Sequence, residues 1–206
     1  MRVKFECPID FIKSDIWLNL GFVESDNPEY LILNPGTDSY YDGEYFEQFK
    51  NLKVVGTPST GVNHLDINYL KNKGIDFYSL LDDRDSLESI TASAEFTWIH
   101  IMNSFRKFDQ AIEHVDYWRD NENEKLLRTN ELNGKNLGII GFGRIGKKIA
   151  RYANAFNMDV FFLDPNVESS DLAIKVNTID DLKHCDAISI NVELNDDTIK
   201  FIKKDV

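Results

Sequence analysis

Six consecutive residues limit what this chain can fold into more than any other stretch: Gly141-Phe142-Gly143-Arg144-Ile145-Gly146. The apolar run Leu137 to Ile140 precedes them, and a helix-forming stretch, Lys147 to Asn157, follows. A G-x-G-x-x-G pattern alone says little, but placed between a strand and a helix it has a mechanism. Gly141 permits the tight turn, Gly143 permits the backbone to approach a pyrophosphate, and Gly146 lets the helix lie close to the strand. The free N–H groups of the first helical turn, with Arg144 and Ile145 in it, then face the phosphates at the positive end of the helix dipole. Arg144 adds a cation beside them.

Eighteen residues beyond Gly146, the strand Met158 to Leu163 ends in Asp164. A dinucleotide fold needs a ribose-binding carboxylate at this point. Such a carboxylate accepts hydrogen bonds from the adenosine ribose and repels a 2′-phosphate. At about 4 Å and an effective dielectric near 20 that repulsion is of order 4 kcal/mol per unit charge. The next residues, Pro165-Asn166-Val167, supply no Arg or Lys to offset it. The combination points to NAD rather than NADP.

The rest of the chain suits a dinucleotide fold. Apolar runs Val3 to Phe5, Tyr30 to Leu33, Leu52 to Val55 and Ile75 to Leu80 read as strands. Between them, Phe11 to Leu20, Glu44 to Lys50 and Leu65 to Lys73 carry apolar residues at helical spacing, with Gly21 and Gly74 as stops. Alternation at this pace predicts a parallel sheet with helices on its faces. A long helix is predicted over Ser93 to Phe108, with Phe96, Ile99, His100, Phe105 and Phe108 on or beside one stripe. The charged stretch Asp116 to Asn136 reads as a solvated connection with a short helix. A second series follows: strand 137–141, helix 143–157, strand 158–163, a short helix near 178–184, and strand 187–192.

Composition sets the class. The chain has 206 residues, or roughly 1.4 domains at about 150 residues each. Its net charge of −12 opposes a nucleic-acid partner, which needs a basic face, and an anionic membrane surface. An apolar share of 42% is enough for a core, yet no apolar run is long enough to span a membrane. Cys7 and Cys185 suit reduced thiols in a cytoplasmic protein, and no signal peptide is visible at the start. No His or Cys cluster has metal-ligand spacing, so no metal is expected.

Four stretches together resemble the D-isomer-specific 2-hydroxyacid dehydrogenases, in particular their phosphoglycerate-dehydrogenase-like branch. Leu52-Lys53-Val54-Val55-Gly56-Thr57-Pro58-Ser59-Thr60-Gly61-Val62-Asn63-His64-Leu65-Asp66 is similar to the family's substrate loop. Ile90 to Trp98 resembles the start of its interdomain helix. Glu131 to Leu137, the glycine turn, and Ala155 to Asp164 resemble its cofactor core. Asn191 to Thr198 resembles the segment after the fourth strand of that core, except that Glu193 stands where a proline is usual.

The resemblance implies an α/β architecture, with a flavodoxin-like N-terminal domain over 1–92. The first part of a Rossmann NAD-binding domain would follow over 93–206. It implies that Thr60, Gly61 and Val62 offer backbone N–H groups to a substrate carboxylate, with Thr60 also near the nicotinamide end of NAD. It places Asn191, Val192 and Thr198 beside the cofactor. It further implies a small 2-hydroxy or 2-oxo acid as substrate and a homodimer paired through the long helix. The family's acid–base histidine, its carboxylate partner and its arginine all follow the segment matched here. No residue of 1–206 is therefore assigned as catalytic, and the chain is expected to be a fragment, inactive by itself. The other readings are a non-catalytic NAD-binding regulatory protein and an inactive remnant.

Overall fold

The computed structural model describes residues 1–6, 15–34, 40–114, 124–125, 127–195 and 198–202. The chain divides into two compact units, one built on Met1–Ser89 and the other on Ile90–Glu193.

In the first unit, β1 (Arg2–Glu6), β2 (Val23–Glu24), β3 (Tyr30–Leu33), β4 (Val54–Gly56) and β5 (Asp76–Tyr78) form one sheet in the order β2-β1-β3-β4-β5. Every pairing is parallel. This is the flavodoxin-like order, which reverses between its first and third strands. The intervening helices are α1 (Asp15–Asn19), α2 (Gly43–Glu47) and α3 (Ile67–Lys73), and α4 (Arg84–Ser89) follows the sheet. Local chemistry sets their ends. Asp42 caps α2 by accepting from the Tyr45 N–H, and Asp66 caps α3 by accepting from the Tyr69 N–H, each at 2.9 Å. Gly74, at φ 66°, closes α3 in the left-handed conformation. Leu31, Leu33, Val55, Phe46 and Leu70 are buried between sheet and helices.

The second unit begins with α5 (Ala92–Arg106) and α6 (Phe108–Glu113). Its strands β6 (Asn136–Ile140), β7 (Asp159–Leu163), β8 (Ile174–Lys175) and β9 (Ala187–Ile190) pair in parallel in the order β8-β7-β6-β9. That order is the opening 3-2-1-4 of a doubly wound Rossmann sheet. Between β6 and β7 runs α7 (Arg144–Ala155), whose Ile149, Ala150 and Ala153 are buried. They pack in one cluster with Leu137, Ile139, Phe142 and Phe162, and the rings of Phe142 and Phe162 stack at 4.1 Å.

Several expectations change in detail. The long helix stops at Arg106, because Lys107 takes a left-handed φ of 47° and α6 starts afresh. Its buried stripe is Ala94, Trp98, Ile101 and Phe105; Phe96, Ile99 and Phe108 are exposed. Of the stripe residues named from sequence, only Phe105 faces the core. The helix near 178–184 is a single 3-10 turn, Ile179–Leu182, closed by a reciprocal cap between Thr178 and Asp181. The two-residue strands β2 and β8 extend the two sheets at their edges. Residues 11–14, 115–123 and 126, within the predicted first helix and the charged connection, lie outside the described residues, as does Cys7.

Candidate functional site

The glycine turn lies where the second sheet reverses order, between β6 and β9. Gly141 has φ 88°, and its N–H donates to the Leu163 carbonyl at 2.9 Å. A Cβ there would lie 2.7 Å from the Asn191 carbonyl oxygen and 3.0 Å from the Val192 nitrogen. Backbone passes backbone at this point, and no side chain fits between. Gly146 is as tight: a Cβ would come within 2.4 Å of the Gly141 oxygen and 3.1 Å of Ile139 Cγ2. Gly143 differs, because a Cβ on it would meet nothing within 4 Å. It caps α7 in an extended conformation with no side-chain cap. The N–H groups of Gly143, Arg144 and Ile145 find no acceptor among the described residues. Unpaired donors beside open space fit a pyrophosphate.

Asp164 has two jobs. Its Oδ2 accepts from the Phe142 N–H at 2.7 Å and so braces the glycine turn, while Oδ1 accepts from the Asn166 N–H at 2.8 Å. A carboxylate offers about four lone-pair positions, so each oxygen keeps acceptor capacity for a ribose hydroxyl. The brace could not be read from the sequence. Arg144 directs Nη1 to the Ile90 carbonyl at 2.9 Å, which ties this cation to the chain two residues before α5. Asn191 donates through its backbone to the Ile140 carbonyl at 2.7 Å and through Nδ2 to Ser189 Oγ at 3.0 Å. Val192 is partly exposed beside it, and the Thr198 hydroxyl donates to the Glu193 carbonyl.

In the first unit, Thr60, Gly61 and Val62 form a half-buried turn after β4. Their N–H groups have no acceptor among the described residues. The turn is held from beneath by Thr57, Ser59 and His64, residues of the matched stretch to which the sequence reading gave no role. Ser59 Oγ donates to the Gly61 carbonyl at 2.7 Å and lies 3.0 Å from Thr57 Oγ1, which is 3.2 Å from His64 Nε2. Thr57 and His64 are 5% and 7% exposed, respectively, so this is an interior polar chain, whereas Asn63 is exposed. Burial pushes the His64 imidazole below its ordinary pKa, favouring the neutral ring. A polar hydroxyl at Thr57, just after the apolar run ending in Val55, was the available signal.

Glu6, at the carboxyl end of β1, accepts from the Tyr45 hydroxyl and from Lys4 Nζ. Burial works against its charge, but these two donors outweigh burial and hold the carboxyl below the usual range. Burial and the neighbouring Glu6 together push the Tyr45 phenol far up, so it stays a donor at any working pH. No group of His, Cys, Asp and Glu suited to a metal occurs among the described residues.

These geometries separate two kinds of glycine. Gly146→Ala forces backbone apart and is expected to lower the urea midpoint and abolish nucleotide binding. Gly143→Ala keeps the fold and loses affinity only. Equal destabilisation by both substitutions would contradict the assignment. His64 gives a pH effect of defined sign. Its folded pKa lies below the unfolded one, so stability is complete at neutral pH. It declines as pH falls below about 6.5, where the unfolded ring takes up the proton first. Urea midpoints between pH 7.5 and 5 should fall for the native chain and fall less for His64→Gln.

Residues 97–206 match the NAD binding domain of the D-isomer specific 2-hydroxyacid dehydrogenases, and residues 26–81 match the catalytic domain of the same family. A hydroxypyruvate reductase from Thermotoga maritima is 30% identical over 86% of this chain and 56% of its own length. The chain thus spans about half the length of this relative. Among solved structures, the TT0316 protein from Thermus thermophilus superposes with a TM-score of 0.80 at 23% identity, covering 98% of this chain and 68% of that one. D-Lactate dehydrogenase from Aquifex aeolicus, solved with NAD and lactic acid, gives 0.74 at 24% identity, covering 96% and 62%. At these identities the structures establish a shared fold. The matched domains, the parallel sheets and the glycine turn agree: the chain belongs to the D-isomer specific 2-hydroxyacid dehydrogenase family.

Proposed function

We propose that this chain binds NAD and the carboxylate of a small D-2-hydroxy or 2-oxo acid as part of an oxidoreductase acting on the CH–OH group. The observation that carries the reading is the open side of Gly143, beside N–H donors without acceptors, with Asp164 at the end of the next strand. Gly143, Arg144 and Ile145 would hold the pyrophosphate by backbone N–H groups, and Gly141 and Gly146 make the turn that presents them. Asp164 would hold the adenosine ribose, and Asn191, Val192 and Thr198 would line the cofactor beyond the turn. The cofactor, when bound, supplies the hydride acceptor.

The substrate side rests on Thr60, Gly61 and Val62, whose unpaired N–H groups can bind a carboxylate without a charged side chain. The substrate class follows from the family and from a relative that carries the name hydroxypyruvate reductase. His64 is engaged below the loop and is not available as a general base. The reading assigns this chain binding and orientation, and it assigns none of its residues to proton transfer.

A homodimer belongs to the same reading. Phe96 and Ile99 on α5, with Phe108 and Ile112 on α6, are 58–65% exposed, an apolar surface that a pairing partner would cover. No helix among the described residues is long and apolar enough to cross a membrane. The reading places the protein in the cytoplasm, where an unpaired thiol such as Cys185 stays reduced.

Titrating NAD and NADP tests the cofactor half. The native chain should prefer NAD, and Asp164→Ala should weaken NAD by about 1–3 kcal/mol, the scale of hydrogen bonds to a charged group. Loss of the brace to Phe142 would weaken both nucleotides alike, so the NAD-to-NADP ratio isolates the charge. An unchanged ratio would contradict the role of Asp164. For the pairing half, sedimentation at micromolar concentration should show a dimer that Phe96→Asp with Ile99→Asp converts to monomer. A native monomer would remove that part of the reading.

A further inference from the structure

The chain of contacts beneath the substrate loop admits only one arrangement of protons. A carbonyl oxygen cannot donate, so the single hydrogen of Ser59 Oγ goes to the Gly61 carbonyl at 2.7 Å. Ser59 Oγ must then accept across the 3.0 Å contact, and Thr57 Oγ1 must donate its own single hydrogen. With that hydrogen committed, the 3.2 Å contact between Thr57 Oγ1 and His64 Nε2 is a bond only if Nε2 carries a proton. The tautomer of a histidine is set by the bonds its nitrogens make. Here the partners leave no choice: Nε2–H.

The consequence reaches the loop through peptide geometry. In a trans peptide the carbonyl of one residue and the N–H of the next point in opposite directions. The Gly61 carbonyl is turned inward onto Ser59 Oγ, so the Val62 N–H is turned away from it. The Ser59 carbonyl accepts from the Leu80 N–H at 2.9 Å, so the Thr60 N–H is turned away from Leu80. The Val62 carbonyl accepts from the Leu65 N–H at 3.0 Å, which fixes the far side of the loop. His64 is itself held from two sides: its carbonyl accepts from the Tyr41 N–H at 2.8 Å, and its ring meets the Tyr41 ring edge-on at 6.3 Å.

We propose that His64 is a positioning residue. Its Nε2–H starts a one-way relay through Thr57 and Ser59 to the Gly61 carbonyl, and this relay aims the Val62 N–H at the substrate carboxylate. The inference rests on the reading of Thr60, Gly61 and Val62 as the carboxylate site, and it adds the residues that orient that site. His64 touches no substrate. It acts by choosing which way one peptide plane faces.

The test uses the 206-residue chain, isotopically labelled, at pH 7.5. Long-range proton–nitrogen spectra of the ligand-free chain should show His64 as the Nε2–H tautomer; the Nδ1–H tautomer would overturn the relay. Pyruvate is then titrated in the presence of NAD while the amides of Thr60, Gly61 and Val62 are followed. Thr57→Val and Ser59→Ala should each weaken pyruvate by about threefold to tenfold, the loss of one neutral hydrogen bond. The double variant should be no weaker than either alone, because both break one chain. His64→Phe, which keeps the ring but removes the donor, should match them, and His64→Gln, which restores an N–H, should rescue. Additive losses, or native affinity in His64→Phe, would overturn the proposal. If pyruvate moves no amide of the native loop, the carboxylate reading fails. The relay is then judged by the tautomer and by whether Thr57→Val alters hydrogen exchange at Val62.

Discussion

The second unit depends on how closely its backbone passes itself at Gly141 and Gly146. A single Cβ at Gly146 would overlap the Gly141 oxygen, and one at Gly141 would overlap the carbonyl of Asn191. The first contact sets the distance of α7 from β6, and the second sets the end of β9 against the turn. The N–H groups proposed to face a cofactor phosphate are placed by those two approaches. Asp164 adds the third point of support by accepting from Phe142, so the residue that would read the ribose also holds the turn that would read the phosphates. Those two functions cannot be altered independently.

Both candidate anion sites are built from peptide N–H groups. A chain with a net charge of −12 is a poor place to gather anions by bulk electrostatics. Local donors solve this, since a fixed N–H at hydrogen-bond distance acts where the diffuse field is already screened. The single cation in the glycine turn, Arg144, is directed to the Ile90 carbonyl. In the first unit the N–H groups of Thr60 and Val62 owe their direction to carbonyls held by Leu80 and Ser59, and in the second the helix start supplies the direction. The same physical device appears in two local forms.

Much of this was legible in the sequence because it is periodic or glycine-dependent. The strand–turn–helix around Gly141 and the acid at Asp164 stand at fixed spacing, and the parallel sheets follow from alternation of apolar runs with amphipathic ones. What escaped was short, non-periodic or ambiguous. Strands β2 and β8 have two residues each and leave no pattern. Lys107 breaks the long helix in a conformation that its side chain does not announce. That helix is apolar on most sides, so Phe96 and Ile99 could be mistaken for the core face that Trp98 and Ile101 occupy. The polar contacts beneath Thr60, Gly61 and Val62 were harder to read for another reason: Thr57 offered a signal, but its partners Ser59 and His64 meet it only once the chain has folded back on itself.

The glycine turn is proposed to meet phosphate with its backbone. Amide spectra of the labelled chain, recorded as NAD is added, would locate that meeting residue by residue. The expected result is a saturable shift centred on the amides of Gly143, Arg144 and Ile145, with smaller movement at Phe142 through its bond to Asp164. Saturating NAD that leaves those amides unmoved, or that shifts another region of the chain instead, would contradict it.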